Sequence, residues 1–218
     1  MKWTSIVVAT ASGSVGGCTF SHNRGGQYTR RRAMPVNPGS LFAQEVTAAF
    51  GILVARWRTI LSASQRDAWD ALAIGTFRTG LNLYVQANTP RLQALTSVID
   101  TAPATPGAGV LSLCGLLNVA AATQDFDINF VNTDPWAGAV GGHLLIYASR
   151  PQAPSINFFK GPYRLAGMVN GAVVLPTSPV TVAAPFPIVA GQKLFVQVRS
   201  TDPDGRLSAI QRFGDLVA

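Results

Sequence analysis

The hydrophobic period of this chain changes once, at a segment rich in proline, alanine and glycine (residues 101–109). Before it, apolar residues recur every three or four positions from Leu41 to Leu61, as on one face of an α-helix. After it, apolar and polar residues alternate, as in residues 193–199. This change predicts an α+β chain with four parts: a basic arm (1–39), a helical segment (40–100), a linker (101–109) and a β domain (110–218).

The β domain contains seven candidate strands in about 110 residues. Gly, Pro, Asn and Asp lie between them, as in chains whose strands are joined by tight turns. The strands are predicted at residues 110–121, 126–131, 143–148, 163–169, 173–175 running into 180–183, 193–199 and 207–213. This spacing is typical of an antiparallel β-sandwich of the immunoglobulin or fibronectin type III kind.

The helical segment has clear start signals. Ser40 is a preferred N-cap residue and predicts a helix of about six turns after it. Ser62 and Gln65 fit the capping-box pattern and predict the start of a second helix. The short break between the two favours a helical hairpin. A weaker third helix is predicted at residues 81–87, with Pro90 as its breaker or as the start of another turn.

The arm carries most of the net positive charge. Residues 1–39 hold five basic residues and no acid, in a chain whose net charge is +7. Residues 5–10 are rich in β-branched side chains and predict a strand. The glycines at residues 23–26 predict a β-hairpin, and Pro35 and Pro38 keep the chain after it extended. With so few large apolar residues, the arm is expected to become ordered only against another surface.

The candidate contact residues of the arm are Arg24, Tyr28, Arg30, Arg31 and Arg32. Arginine suits carboxylates and phosphates alike, and an aromatic ring between arginines could stack on a base. We favour salt bridges to a neighbouring subunit, with nucleic-acid backbone contact and a solvated face as alternatives. Trp57 and Trp69 complete the candidate set, although anchoring the core of the hairpin is their favoured role over a ligand platform.

The chain is poor in charge, with 12% charged residues against roughly 25% in an ordinary soluble domain. Such a surface has fewer groups that keep it apart from neighbours. One interpretation is a small, alanine-rich, well-ordered protein. The other is that neighbouring subunits cover much of the surface.

No pattern of residues points to catalysis, and we expect no enzymatic activity, cofactor or metal. The two histidines, His22 and His143, lack the spacing of a metal site. Cys18 and Cys114 are expected to be free thiols. No stretch approaches the roughly 20 apolar residues of a membrane span, so no membrane association is expected.

Two stretches resemble known families. Residues 191–208, with the turn Asp202-Pro203-Asp204-Gly205, resemble the end of a fibronectin type III domain. The first hundred residues carry a second pattern: Asn23-Arg24-Gly25-Gly26-Gln27-Tyr28, Arg32, Pro35, Asn37-Pro38, Phe50, Trp57, Leu61-Ser62, Gln65-Arg66-Asp67-Ala68-Trp69, Asn82 and Asn88. That pattern is similar to a group of uncharacterised phage and prophage proteins, and this resemblance implies a virion-associated protein.

These observations favour a phage virion structural protein, such as a capsid decoration protein or a neck or tail accessory protein. Assembled in the host cytoplasm, it would be a homo-oligomer or bind other virion proteins through its arm and helices, and would present the sandwich. The alternative is a soluble binding module. In that case the basic arm would contact nucleic acid, or the sandwich loops would bind carbohydrate or protein.

Overall fold

The computed structural model describes residues 11–23, 25–34 and 39–218. The prediction of a mixed α+β chain is confirmed: three helices and antiparallel sheets are present, and the sheets do not close into a barrel. The strand predicted at residues 5–10 lies outside the described residues.

The first sheet belongs to the arm, and we call it the arm sheet. It consists of β1 (Gly13–Val15), β2 (Cys18–Asn23) and β3 (Gly26–Arg31), in that order and antiparallel. The predicted hairpin is confirmed, because β2 and β3 pair from Cys18 opposite Arg31 to Asn23 opposite Gly26. Gly26 has a φ of +104°, which explains why a glycine stands at this turn.

The first two helices begin where the capping residues predicted. Helix α1 (Leu41–Thr59) starts after Ser40, whose side chain accepts a hydrogen bond from the Ala43 amide. Helix α2 (Ala63–Leu72) starts after Ser62, and both hydrogen bonds of the capping box are formed. Helix α3 (Gly80–Gln93) is longer than predicted and contains Pro90 within it.

The prediction that the first two helices pack as a hairpin is wrong. The α1 and α2 axes are bent by 119°, and each helix packs against α3. The reason is Tyr84 of α3, whose buried ring contacts both Trp57 of α1 and Trp69 of α2. The large apolar groups of the first two helices therefore meet on a third helix instead of on each other.

The C-terminal half forms a two-sheet unit. One sheet has the order β4 (Gly115–Ala120), β5 (Asp125–Asn129) and β8 (Val180–Ala183). The other has the order β10 (Gln211–Leu216), β9 (Lys193–Thr201), β6 (His143–Ser149) and β7 (Tyr163–Asn170). Alternate residues of both sheets share one apolar core, with Phe126, Ile128, Leu144, Ile146, Leu194 and Val196 fully buried.

Three strand boundaries were predicted wrongly. The first strand begins at Gly115 instead of residue 110, because Gln211 caps the Cys114 amide with its side chain. Residues 173–175 form an exposed loop despite their β-branched side chains. The last strand begins at Gln211, four residues later than predicted, because residues 202–206 close an Asp-Gly turn before it.

Arg91 of α3 joins the helices to the two-sheet unit, and we call its surroundings the Arg91 junction. The side chain is only 3% exposed. It donates hydrogen bonds to Thr201 Oγ1 at 3.2 Å, to the Asp202 carbonyl at 3.4 Å and to the Gly141 carbonyl at 3.1 Å. A fourth bond, of 2.9 Å, reaches the Ser97 carbonyl. The guanidinium therefore bridges α3, the chain after it and two loops of the sheets.

Among the described residues, none of the three helices is by itself both long and apolar enough to cross a membrane. Only α1 and α2 taken together across their bend have that length and composition.

Candidate assembly surface

The predicted arginine cluster of the arm is divided between two faces of the arm sheet. Successive residues of a strand point to opposite faces, so Tyr28 and Arg30 share one face and Arg31 lies on the other. Arg30 stands opposite Thr19, and Arg31 stands opposite Cys18. All three arginines at positions 30–32 are exposed, whereas Arg24 lies outside the described residues.

Arg32 follows the last residue of β3, and its amide donates a 2.8 Å hydrogen bond to the Gly17 carbonyl. The pairing between β2 and β3 therefore continues one residue past the C-terminal end of β3. Because the cations are divided between faces, one flat partner meets only part of the cluster. A partner that lies against both sides of the sheet would meet all of it.

Trp57 and Trp69 lie in the core that the three helices share. The Trp57 ring centroid is 5.5 Å from that of Tyr84, and the Trp69 centroid is 5.7 Å from it. Trp69 is 2% exposed, and its Nε1 donates a 2.9 Å hydrogen bond to the Asp100 carbonyl. These positions fit the anchoring role that was favoured for both tryptophans.

Asp100 lies in the segment after α3 and contacts this core at its edge. Arg56 binds both carboxylate oxygens, with Nε to Oδ1 at 2.8 Å and Nη2 to Oδ2 at 2.6 Å. The Tyr84 hydroxyl donates to Oδ1 at 3.1 Å. Arg56 holds the pKa of Asp100 below its usual range, with a smaller contribution from Tyr84, while burial and Asp100 together raise the pKa of Tyr84.

The Asp100 network predicts a loss of stability in acid. The pKa of Asp100 is lower in the folded chain than in the unfolded chain. Its contribution to the free energy of unfolding is therefore fully present above the unfolded pKa of about 3.9, and it is lost as the pH falls through the folded pKa. At neutral pH, Asp100→Asn is expected to lower the free energy of unfolding by about 2 kcal/mol, because charge-assisted hydrogen bonds are weakened.

Urea unfolding between neutral pH and pH values below the unfolded pKa measures this effect. The difference between wild type and Asp100→Asn should shrink in acid. Asp67→Asn, which changes an exposed acid of α2, is the matched control and should change little at any pH. If the free energies of unfolding of wild type and Asp100→Asn differ by the same amount at every pH, the Asp100 carboxylate does not stabilise the fold through its charge.

Helix α1 exposes large apolar side chains on both flanks of the side that packs against α3. Leu41 is 73% exposed, Phe50 53% and Ile52 55%. Leu41 and Ile52 lie about three turns apart on nearly the same side, whereas Phe50 lies roughly half a turn around the helix from them. The buried residues Ala49 and Leu53 lie between these two flanks. Of the exposed α1 residues, only Glu45 and Arg58 carry charge. We call the exposed part of α1, which includes both of these flanks, the α1 outer surface.

The remaining titratable groups do not assemble a reactive site in the described part of the chain. Burial lowers the pKa of His143, and its Nδ1 lies 2.9 Å from Asn170 Oδ1. Burial raises the pKa of the Cys114 thiol to about 11, which keeps it protonated at neutral pH. Cys18 is an exposed free thiol on the arm sheet. Across residues 11–23, 25–34 and 39–218, no three His, Cys, Asp or Glu side chains are placed to hold a metal ion.

Sequence reasoning missed the α1 outer surface and the Arg91 junction. The α1 outer surface could have been detected from the sequence. Few residues of α1 are charged, whereas a helix with one side in water usually carries a charged or polar face. The Arg91 junction could not, since an arginine next to Pro90 near a helix end gives no indication of burial.

No protein-family model, curated protein or solved structure matches this chain. The function is therefore inferred from its own residues and their geometry.

Proposed function

We propose that this protein is a structural subunit of a phage particle, and that neighbouring subunits cover the α1 outer surface. The observation that carries the proposal is the exposure of large apolar side chains along a helix whose other side is already packed. Large apolar side chains on the exposed flanks of a helix are stabilised when another surface covers them. In this chain α3 covers one side of α1, so a second copy or another virion protein covers the other.

Other exposed apolar groups support an assembly role. Val15 of the arm sheet, Ile74 after α2 and Val173 of the β7–β8 loop are each at least 74% exposed. Single exposed apolar residues are common on protein surfaces, so these three only add to the observation on α1. The low proportion of charged residues, 12%, removes the repulsion that would keep copies apart.

The arm extends this contact. Its three short strands have little core of their own, and a small isolated sheet is marginally stable in water. The exposed arginines at positions 30–32 can form forked hydrogen bonds with carboxylates of a neighbour. The arm would therefore reach along an adjacent subunit while α1 packs against it.

We further propose that the two-sheet unit is a sandwich of the fibronectin type III kind. The strand order supports this, since the first, second and fifth strands form one sheet and the others form the second. In an immunoglobulin constant domain, the fourth strand joins the first sheet. Here that strand, β7, pairs with β6 instead. Such a module would be displayed on the particle, with the helices and arm as its attachment.

Glutamate substitutions on α1 test the assembly role. Phe50→Glu and Ile52→Glu place charge on the α1 outer surface and retain a good helix former. We expect the isolated chain to fold as before, with a free energy of unfolding within about 0.5 kcal/mol of wild type. We also expect self-association, measured by sedimentation velocity, to weaken at least about tenfold, because a charge would be buried in the interface.

Val189→Glu is the matched control, since Val189 is 59% exposed in the loop before β9, away from the helices. It should leave association unchanged. Equal association of all three variants and wild type would exclude α1 as the contact. If the wild-type chain does not self-associate but binds lipid vesicles through α1, a membrane is the partner of this helix instead.

A further inference from the structure

A shallow groove of about 150 Å³ lies on the outer face of the four-stranded sheet. It includes Lys193 at the start of β9, whereas the Arg91 junction contacts Thr201 at the end of the same strand. A strand rises about 3.3 Å per residue, so the two sites lie roughly 26 Å apart. The groove therefore occupies the end of the sheet opposite the helices.

Three aromatic rings form a fixed wall of the groove. Phe159 stacks on Phe195 with centroids 5.9 Å apart and an angle of 25° between the rings. Phe159 also meets Tyr163 edge-on at 5.4 Å, and the Tyr163 hydroxyl donates a 2.9 Å hydrogen bond to the Phe159 carbonyl. These contacts hold the loop that carries Phe159 against the outer face of the sheet.

Gly214 makes room for this wall. A Cβ at that position would lie 2.7 Å from Cδ1 of Phe195, closer than van der Waals contact allows. With any larger residue at position 214, the Phe195 ring, which reaches over from β9, would have to move away from β10. Glycine at this position therefore lets the Phe195 ring, which is 5% exposed, lie against β10 with Phe159 stacked on it.

Two cations flank the aromatic wall. Lys193 Nζ lies 5.6 Å from the Phe195 ring centroid, and Arg212 lines the groove from β10. Burial raises the pKa of Tyr163, and the charge of nearby Arg212 partly offsets this. Neither Lys193 nor Arg212 forms an ion pair with a carboxylate in the described chain, and residues 135–201 contain no acidic residue at all.

We propose that this groove binds a carboxylated sugar unit, such as a uronate or sialate residue of a polysaccharide. Phe159, which is half-buried and covers Phe195, would pack against the apolar C–H face of the sugar ring. Arg212 would hold the carboxylate with its fork, and Lys193 would add a second charge. The groove is shallow, so one unit of a polysaccharide can lie in it while the rest of the polymer extends into solvent.

An extended acidic peptide is the other ligand class with charge that matches the site. Peptides of that kind gain much of their affinity by pairing with a free strand edge. Strand β10, which lines the groove, is the edge strand of its sheet, so poly-glutamate is tested beside the sugars. The groove itself offers side chains and rings, and these recognise a compact ligand.

Titration of the full chain with galacturonate and with N-acetylneuraminate, followed by amide chemical shifts and calorimetry, tests this proposal. Both acids should bind, with the largest shifts at Gly214 and its neighbours, and neutral galactose should bind at least about tenfold more weakly. Arg212→Gln and Lys193→Gln should each weaken binding of the acids about tenfold or more. Arg164→Gln, which removes a cation stacked on Phe186 instead, should have no effect.

Four results would overturn the proposal: no binding of either acid, equal binding of galactose, binding unaffected by both glutamine variants, or binding of poly-glutamate in place of the sugars. Circular dichroism and the thermal midpoint show whether the variants fold. If they do not, the shifts at Gly214 in the wild-type chain decide the question without them. The outcome is independent of self-association, because the groove lies far from α1.

Discussion

Arg91→Ala is expected to lower the free energy of unfolding by about 3–4 kcal/mol, among the largest effects of any single substitution in this chain. The wild-type side chain is almost fully buried and donates to three carbonyls and one hydroxyl. Alanine would remove the donor to the Gly141 and Ser97 carbonyls and one partner each of the Asp202 carbonyl and the Thr201 hydroxyl. A buried acceptor left unsatisfied costs about 1–3 kcal/mol.

The same substitution should change how the chain unfolds. Because Arg91 joins α3 to loops at Gly141 and Thr201, its loss should let the helices and the two-sheet unit unfold in separate steps. Urea unfolding followed by tryptophan fluorescence and by far-ultraviolet circular dichroism would then give two transitions that do not coincide.

Arg58→Ala serves as the control for Arg91→Ala, since Arg58 is an exposed residue of α1. It should shift the free energy of unfolding by no more than about 0.5 kcal/mol. An Arg91→Ala protein with wild-type stability and a single coincident transition would show that the junction does not hold the two parts together.

Trp69→Ala is expected to lower the free energy of unfolding by about 3–5 kcal/mol. The substitution removes a side chain that is 2% exposed and contacts the Tyr84 ring, and it also removes the hydrogen bond to the Asp100 carbonyl. Because the cavity lies where the three helices meet, the loss should appear first in the helices. Thermal unfolding followed by helical circular dichroism measures it.

Trp69→Phe separates packing from hydrogen bonding. It retains most of the ring contact with Tyr84 but cannot donate to the Asp100 carbonyl, so its loss should be smaller than that of Trp69→Ala. Full retention of stability in Trp69→Ala would mean that the residue contributes to a surface and not to the core, which would restore the ligand-platform alternative for Trp57 and Trp69.

Local signals predicted the starts of the helices and the hairpin of the arm sheet. Ser40 and Ser62 satisfy backbone amides through their own side chains, and such bonds depend only on residues three positions away. The alternating pattern likewise located β6, β7 and β9 to within a few residues. These features follow from short-range chemistry and can be read without knowledge of the tertiary structure.

Tertiary contacts decided the rest. The bend between α1 and α2 depends on Tyr84, which arrives from a third helix, and no pattern in the first two helices indicates it. Residues 173–175 have the composition of a strand but lie in the loop between β7 and β8. They pair with no neighbouring strand there, and β-propensity acts mainly through such pairing. The groove beside Phe195 depends on Gly214, a residue brought across by the pairing of β9 and β10.

The mass of the intact chain in solution is the most direct test of the central claim that neighbouring subunits cover α1. Sedimentation velocity across a range of concentrations should show a dimer or larger oligomer that grows with concentration and is lost in Ile52→Glu. A wild-type chain that stays monomeric at every concentration, alone and with candidate virion partners, would contradict that claim.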